Sequence, residues 1–227
     1  MSYVFPPAEP VAVEITGRAE RFPVHRIYCV GRNYAAHARE MGKDPDREPP
    51  FFFTKPAQAI VANHATIPYP SRTANLHHEI ELVVAIGKGG QDIAVTAALG
   101  HVFGYAVGND LTRRDLQNEA KDKGRPWDTA KAFDRSAPLT AIQPAPGSNY
   151  ETGRIWLTVN GELRQQGDVA DLLWSVPEVI AELSRLFELV PGDLIFTGTP
   201  AGVGAVRPGD RLEGGVAGLD TLVTTIA

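Results

Sequence analysis

The chain has 227 residues, of which 43% are hydrophobic and 22% charged, and its formal net charge is −5. A globular chain of this length buries roughly 70% of its surface without disulfides or structural metals, so we expect any bound metal to serve function. The acidic balance and scattered basic residues exclude a dominant nucleic-acid surface, and no apolar run approaches the ~20 residues of a membrane-spanning helix.

The N-terminal segment, residues 1–23, is Pro-containing and weakly patterned, and we predict a peripheral arm or an edge hairpin there, followed by a single domain at 24–227. It lacks the basic and apolar regions of a secretory signal.

The single cysteine, Cys29, cannot form an intramolecular disulfide, and its apolar neighbours predict a buried, inert thiol. A cytosolic location is therefore expected, with an organellar matrix as the alternative.

Twenty-two glycines and eighteen prolines divide the chain into apolar segments that mostly have the length of strands. Strands are predicted at 27–30, 80–86, 103–107, 155–159, 194–197 and 219–226. The Asn160-Gly161 pair predicts a hairpin turn. The expected fold class is mainly β with peripheral helices (α+β).

Two segments have the composition of helices. Residues 33–41 follow Gly31, and residues 176–187 repeat apolar side chains along one face, with proline tolerated in the first turn. The first segment contains His37 and Glu40, which are three positions apart and therefore neighbours on a helix surface. By itself, this histidine is most simply an exposed helix residue.

A cluster of carboxylates is the strongest chemical signal in the sequence. Glu79 and Glu81 share one face of the extended segment at 77–86, because strand side chains alternate with a period of two. Both faces become apolar further along, and an ionised carboxylate buried there costs several kcal/mol unless it is compensated. Asp110 ends a second apolar segment, and three oxygen ligands suit Mg²⁺ or Mn²⁺ better than Zn²⁺. The alternative is that the glutamates leave the core and pair with Arg or Lys.

Two further motifs have simpler interpretations. His77 and His78 point to opposite faces of a strand, so at most one reaches the carboxylate side; we expect His77 there as a hydrogen-bonding neighbour of a ligand rather than a zinc ligand. The Gly-rich segment at 197–204 lacks the Gly-Lys-Ser/Thr ending of a phosphate-binding loop, which argues against a nucleotide site.

Six motifs together resemble the fumarylacetoacetate hydrolase family. They are YCVGRNYAAH at 28–37, FFFTKP at 51–56, HEIEL at 78–82, GNDLTRRD at 108–115, WDTAKAF at 127–133 and GDLIFTGTPAGVG at 192–204. They occur in the family's order and cover the chain from about Val24 onward. The resemblance implies a mixed β-sandwich or roll with short peripheral helices, a homodimer, and Mg²⁺ or Mn²⁺ held by Glu79, Glu81 and Asp110.

The resemblance also implies roles for other side chains. His37 would be a catalytic base oriented by Glu40. Lys131, which the local sequence would make an ordinary solvated lysine, would be a fixed positive charge that stabilises an enolate. The implied substrate-binding residues are Arg32, Gln117 and Thr199.

The resemblance is greatest to the short members that hydrolyse acylpyruvates, and residues 47–56 and 113–133 favour fumarylpyruvate, cleaved to pyruvate and fumarate in aromatic compound catabolism. Oxaloacetate decarboxylation, isomerisation of related 2-oxo dicarboxylates and a catalytically silent metal-binding scaffold are the alternatives. Candidates for binding a distal substrate carboxylate are Arg47, Arg113, Arg114 and Arg125, although each is more often simply solvated.

Overall fold

The computed structural model describes residues 2–35 and 48–227. Within this part of the chain, the strands form sheets of two, three, five and eight strands. In chain order the strands are β1 (Ala12–Glu14), β2 (Arg21–Pro23), β3 (Ile27–Gly31), β4 (Phe51–Lys55), β5 (Ile60–Ala62), β6 (Ala65–Ile67), β7 (Leu76–His78), β8 (Ile80–Ile86), β9 (Val102–Asn109), β10 (Thr112–Arg113), β11 (Ala137–Leu139), β12 (Gln143–Pro144), β13 (Arg154–Val159), β14 (Glu162–Asp168), β15 (Leu194–Phe196), β16 (Gly204–Val206), β17 (Arg211–Val216) and β18 (Leu222–Ile226). The predicted mainly β class is confirmed.

The helices within residues 2–35 and 48–227 are few and short. They are α1 (Arg114–Asp122), α2 (Asp128–Lys131) and α3 (Val176–Leu186), with 3₁₀ turns at Ala57–Ala59, Val95–His101 and Val169–Asp171. Helix α3 ends one residue before the predicted boundary, and it begins with a capping box in which Glu178 accepts hydrogen bonds from the Ser175 backbone N–H and hydroxyl. No helix in the described ranges combines the length and apolarity needed to cross a bilayer.

The eight-stranded sheet runs in the order β4-β3-β15-β8-β9-β11-β5, with β12 also paired to β9. It is mixed, because β15 pairs in parallel with β3 while β8 pairs antiparallel with both β15 and β9. Every residue of β8 is buried. Its even-numbered side chains join a core shared with the five-stranded sheet, whereas Val83 and Ala85 join a second core on the opposite face. The prediction of a strand buried on both sides is confirmed.

The N-terminal hairpin covers that second core. Strands β1 and β2 pair antiparallel, and Val13, Ile15 and Phe22 pack into the cluster that contains Val83. The backbone N–H of Thr16 also donates to the carbonyl of Ile142. The segment is therefore a hairpin fastened to the large sheet.

Several boundaries differ from the predictions for local reasons. The hairpin at Asn160-Gly161 is confirmed, since Val159 pairs with Glu162 across it. The last strand begins at Leu222, three residues late, because Gly218 adopts a φ of +83° in a turn closed by the Leu219 N–H on the Val216 carbonyl. Residues 33–34 of the predicted first helix are not helical, and 36–41 lie outside the described residues. Helix α1 was not predicted, although its sequence, RDLQNEAKD, is rich in helix formers.

Candidate active site

The three predicted carboxylates meet where β8 and β9 pair. Glu81 lies within β8, Glu79 immediately precedes that strand, and Asp110 immediately follows β9. The Asp110 N–H donates to the Glu79 carbonyl at 2.8 Å, which extends the ladder to the two residues. One oxygen from each side chain lies within 4.8 Å of the others, and the exposed fractions of Glu79, Glu81 and Asp110 are 5%, 2% and 0%. The sequence alternative expected the glutamates to leave the core and pair with Arg or Lys. Both stay buried, so that part is wrong, although Glu79 does pair with Lys131 and Arg114.

Buried cations surround two of these carboxylates. Lys131 Nζ lies 2.7 Å from Glu79 Oε2 and 2.6 Å from Asp110 Oδ2, and it also donates to the Thr112 hydroxyl. Arg114 pairs with the other oxygen of Glu79. Lys131 is 2% exposed, so the purely local expectation of a solvated lysine is wrong. Although burial lowers the pKa of Lys131, the Asp110 and Glu79 carboxylates outweigh it and raise the pKa above its usual value.

Glu81 has different surroundings from the other two carboxylates. Within residues 2–35 and 48–227 it forms no ion pair, and one oxygen accepts a hydrogen bond from the Gly198 N–H at 2.8 Å. Burial, together with Asp110 and Glu79, raises the pKa of Glu81 well above its usual range. A divalent cation would relieve this repulsion, and an all-carboxylate set of hard oxygen donors fits Mg²⁺ or Mn²⁺. The residues present therefore fit the predicted metal.

The backbone donor to Glu81 depends on a glycine. Gly198 has a φ of +108°, and a Cβ at this position would lie 2.8 Å from the Cβ of Asn33. The Asn33 side chain is itself buried, where it donates to the carbonyls of Thr197 and Trp174. The first sequence motif and the Gly-rich segment thus pack together beside the carboxylates. This close packing, together with the positive φ, explains why position 198 is a glycine.

Lys55 is a functional candidate that the sequence analysis missed. Its Nζ lies 2.8 Å from Asp110 Oδ1, donates to the Ser136 hydroxyl at 2.9 Å, and contacts the carbonyls of Leu111 and Lys131. The side chain is buried, so it supplies a second fixed charge behind Asp110. No local signal identified it, because a lysine at the end of an apolar strand ordinarily reaches solvent.

The three predicted substrate-binding residues line one cleft with the carboxylates. The cleft contains about 420 Å³ of empty space, counting its opening to solvent, and its other lining side chains include Lys121, Trp127 and Lys131. Arg32 adopts a φ of +58° and stacks over Phe51, with 5.3 Å from Cζ to the ring centroid. Gln117 accepts a hydrogen bond from Arg114. The tertiary structure therefore brings Arg32, Gln117, Thr199 and Lys131 together beside the three carboxylates.

The two histidines take different positions. His77 accepts a long hydrogen bond from Arg114 at 3.4 Å and donates to the Asn75 side chain at 2.9 Å, so it supports the arginine that pairs with Glu79. His78 is buried against Gln165 on the other side. Burial, followed by the Arg114 charge, lowers the pKa of His77 to about 4.

Two other predictions concern His37, Glu40 and Cys29. His37 and Glu40 lie outside the described residues, so the proposed base and its orienting carboxylate stay a prediction from spacing and resemblance. Cys29 is fully buried in β3, and burial raises the pKa of its thiol well above the usual value. The prediction of a buried thiol is confirmed.

Comparison with known proteins agrees with this geometry. The model of the fumarylacetoacetate (FAA) hydrolase C-terminal family matches residues 26–227. Fumarylpyruvate hydrolase of Ralstonia sp is 48% identical over 188 residues, covering 82% of this chain and 98% of the relative. The mitochondrial oxaloacetate tautomerase of Rattus norvegicus is 44% identical over 194 residues, covering 85% of this chain and 87% of the relative.

A solved structure is similar over the whole chain. Fumarylpyruvate hydrolase from Pseudomonas aeruginosa, in complex with Mn²⁺ and pyruvate, has 55% sequence identity and a TM-score of 0.97, and the match covers 100% of this chain and 99% of that one. The likeness extends from the hairpin to the last strand and therefore includes every element that carries the carboxylates. The match to the family model, the fold and the carboxylate cluster together show that this chain belongs to the fumarylacetoacetate hydrolase family.

Proposed function

We propose that this protein is a divalent-metal-dependent C–C hydrolase that cleaves acylpyruvates, with fumarylpyruvate as substrate and pyruvate and fumarate as products. The observation that carries the proposal is the cleft in which buried Glu79, Glu81 and Asp110 face Lys131. The similarity to a hydrolase solved with Mn²⁺ and pyruvate supports the same substrate class. We assign the catalytic unit to residues 24–227.

The cleft supplies most of the groups that such a reaction needs. A cation bound by Glu79, Glu81 and Asp110 would act as a Lewis acid and a template for a 2-oxo acid. Lys131 holds a fixed positive charge beside the same carboxylates, where it stabilises the negative charge that develops on the pyruvate half as the C–C bond breaks. Thr199 and Arg32 line the cleft and are suited to orient the substrate carboxylate.

The attacking water needs a base, and we assign that role to His37 with Glu40 as its orienting carboxylate. This assignment rests on their spacing and on the family resemblance. We expect His37→Ala to lower acylpyruvate hydrolysis by roughly 10²–10⁴-fold, the usual contribution of a general base. Any decarboxylation of oxaloacetate should largely survive, because it requires no attacking water. Unaltered hydrolysis in this variant would show that the base is another group.

A second candidate function is chemistry on oxaloacetate, which the 44% identity to an oxaloacetate tautomerase favours. The decisive experiment measures kcat/KM with Mg²⁺ or Mn²⁺ for fumarylpyruvate, acetylpyruvate and oxaloacetate, from the loss of enol absorbance and from pyruvate formed. We expect the highest value for fumarylpyruvate. A higher value for oxaloacetate would assign the chain to the second function, and no turnover of any 2-oxo acid would leave a silent scaffold.

Fumarylpyruvate carries a second carboxylate, and the structure favours Lys121 as its partner. The described arginine candidates are less suited: Arg113 donates to the Thr129 carbonyl, Arg114 lines the cleft but is paired with Glu79, and Arg125 is largely exposed. Lys121 lies on α1, lines the cleft and stands 5.3 Å from the Trp127 ring centroid. Burial, together with the Arg114 and Arg32 charges, lowers its pKa to about 8.

We expect Lys121→Met to raise KM for fumarylpyruvate by about 10–100-fold, since a hydrogen bond to a charged group contributes roughly 1.5–3 kcal/mol. Acetylpyruvate, which has no distal carboxylate, should be affected little. In the unaltered enzyme, kcat/KM for fumarylpyruvate relative to acetylpyruvate should fall as pH rises through about 8, because deprotonation removes the Lys121 charge. The exposed Lys123→Met variant is the control, and equal effects on both substrates would contradict the assignment.

We further propose that the chain is a cytosolic homodimer that acts in aromatic compound catabolism. The exposed side chains of Tyr3, Val4 and Phe5 support self-association, because apolar surface of this kind commonly marks an interface. Light scattering after gel filtration should give twice the chain mass of 24.5 kDa. A mass of one chain would contradict the dimer.

A further inference from the structure

A buried amide on the smaller of the two main sheets reaches the wall of the cleft. Gln165 lies in β14 and has no exposed surface. Its Oε1 lies 2.8 Å from His78 Nδ1 and 3.2 Å from the backbone nitrogen of Ile80, and its Nε2 lies 2.8 Å from both Thr199 Oγ1 and the Pro200 carbonyl. An amide side chain has two donors and two acceptor positions, so all four are used.

A β-bulge directs this side chain inward. Leu157 of β13 pairs with Gln165, but Thr158 pairs with Leu163, so Arg164 is the extra residue. A bulge changes the direction in which neighbouring side chains point. The Gly-rich segment rests directly on this bulge, since a Cβ on Gly202 would lie 2.1 Å from the Arg164 carbonyl oxygen.

The partners of Gln165 fix which way its amide points. The Pro200 carbonyl can only accept a hydrogen bond, and the Ile80 N–H can only donate one, so Nε2 must face Pro200 and Oε1 must face Ile80. It follows that Nε2 donates to the Thr199 hydroxyl oxygen. It also follows that His78 carries its proton on Nδ1, because Oε1 can only accept.

The hydroxyl of Thr199 is thereby left with a proton to donate. Its oxygen accepts from Gln165, and no group within residues 2–35 and 48–227 accepts a hydrogen bond from it. Thr199 lines the cleft together with Arg32 and Lys131, where an anionic ligand is the natural acceptor. A buried hydroxyl without an acceptor is costly, so a carboxylate that takes this proton gains affinity.

We propose that Gln165 is a positioning residue, which fixes the Thr199 hydroxyl as a hydrogen-bond donor to the carboxylate of a bound 2-oxo acid. The inference rests on the proposed function for its ligand class, and on the hydrogen bonds of Gln165 for its geometry. It makes the five-stranded sheet part of the substrate site, because strand β14 sets the direction of a donor in the loop after β15.

A double-mutant cycle tests the proposal in the Mn²⁺-loaded protein. Pyruvate affinity is measured by calorimetry, and kcat and KM are measured for acylpyruvates. We expect Thr199→Val and Gln165→Met each to weaken pyruvate binding roughly tenfold, the size of one hydrogen bond to a charged group. The double variant should be less than about twofold weaker than Thr199→Val alone, because coupled residues are not additive. In these variants KM should rise while kcat changes little. Thr199→Ser, which keeps the hydroxyl, should bind pyruvate about as well as the parent protein.

Two controls separate this role from a general effect on folding. Gln166→Met changes the exposed neighbour in the same strand and should leave pyruvate binding unaltered, and Mn²⁺ affinity should stay the same in all variants. If Gln165→Met does not fold, Gln165→Leu replaces it: this smaller apolar side chain has no hydrogen-bond donor for the Thr199 oxygen and should weaken pyruvate binding to a similar extent.

The outcomes distinguish this inference from the proposed function. Independent, multiplying penalties for the two positions would overturn it, as would unchanged pyruvate affinity in both Gln165 variants or no pyruvate binding by the parent protein. Coupled losses of pyruvate affinity in a chain that hydrolyses no acylpyruvate would support the positioning role while removing the hydrolase assignment.

Discussion

Replacing Glu81 with glutamine is expected to abolish catalysis and, at the same time, to stabilise the metal-free protein. The amide keeps an oxygen that can accept the hydrogen bond from the Gly198 N–H, but it removes one of three anionic ligands. Lewis-acid assistance contributes several kcal/mol, so we expect kcat/KM to fall by roughly a thousand-fold or more. Added Mn²⁺ should bind weakly and restore little activity.

The stability gain follows from the pKa of Glu81. Folding raises this pKa above the ordinary value of 4.5, so the folded chain holds the proton more tightly than the unfolded chain does. Without metal, the parent protein should therefore lose stability as pH rises above about 4.5, and glutamine removes that loss. The melting temperature of metal-free Glu81→Gln should exceed that of the parent at pH 8, by about 2–4 °C for each kcal/mol gained.

Thermal unfolding with a chelator and with excess Mn²⁺, at pH 5 and pH 8, measures both effects. Glu162→Gln is the control, because that carboxylate is 69% exposed and should shift neither curve. A metal-free Glu81→Gln protein that melts below the parent at pH 8, or one that retains tight Mn²⁺ binding, would show that Glu81 is not an uncompensated ligand.

Replacing Lys131 with methionine should also lower catalysis, but it should destabilise the metal-free protein instead of stabilising it. The variant keeps all three carboxylates but removes the cation that contacts Glu79 and Asp110. Breaking a buried ion pair costs about 3–5 kcal/mol, so the metal-free protein should be strongly destabilised. Loss of one fixed positive group beside the developing charge should lower kcat by roughly 10²–10³-fold.

Mn²⁺ should recover stability in Lys131→Met more than it does in the parent, because the bound ion compensates the same two carboxylates. The measurement is the melting temperature as a function of Mn²⁺ concentration, beside kcat at saturating Mn²⁺. Lys123→Met, at a lysine that is 51% exposed, is the matched control. A variant with parental kcat would refute the charge-stabilising role, and a Mn²⁺ response no larger than the parent's would refute the shared compensation.

The sequence did not predict which of the candidate arginines lines the cleft. Arg113, Arg114 and Arg125 are equivalent candidates in the sequence, yet of these three only Arg114 lines the cleft, where it pairs with Glu79. No sequence motif marks Lys121, which lies four residues after Gln117 on the same helix and lines the same cleft. A predicted helix at the position of α1 would have placed Gln117 and Lys121 on one face, because residues four apart are neighbours on a helix.

The sequence by itself determined the features that depend on local periodicity and chemical type. The period of two along β8 placed Glu79 and Glu81 together and showed that both faces of the strand are apolar. Oxygen donors at the ends of two buried strands indicated a magnesium-type site, and the family resemblance decided between that site and simple pairing with Arg or Lys. These properties could be predicted because a strand fixes the direction of its side chains within a few residues.

Only the tertiary structure decided how the charges are compensated and how the donors point. Lys55 contacts Asp110 across 55 positions, Lys131 contacts Glu79 across 52, and Gln165 reaches Thr199 across 34. The burial of a lysine, or the direction of an amide, depends on which remote segments pack around it. That packing is set by the whole set of sheet contacts, so local pattern could not reveal it.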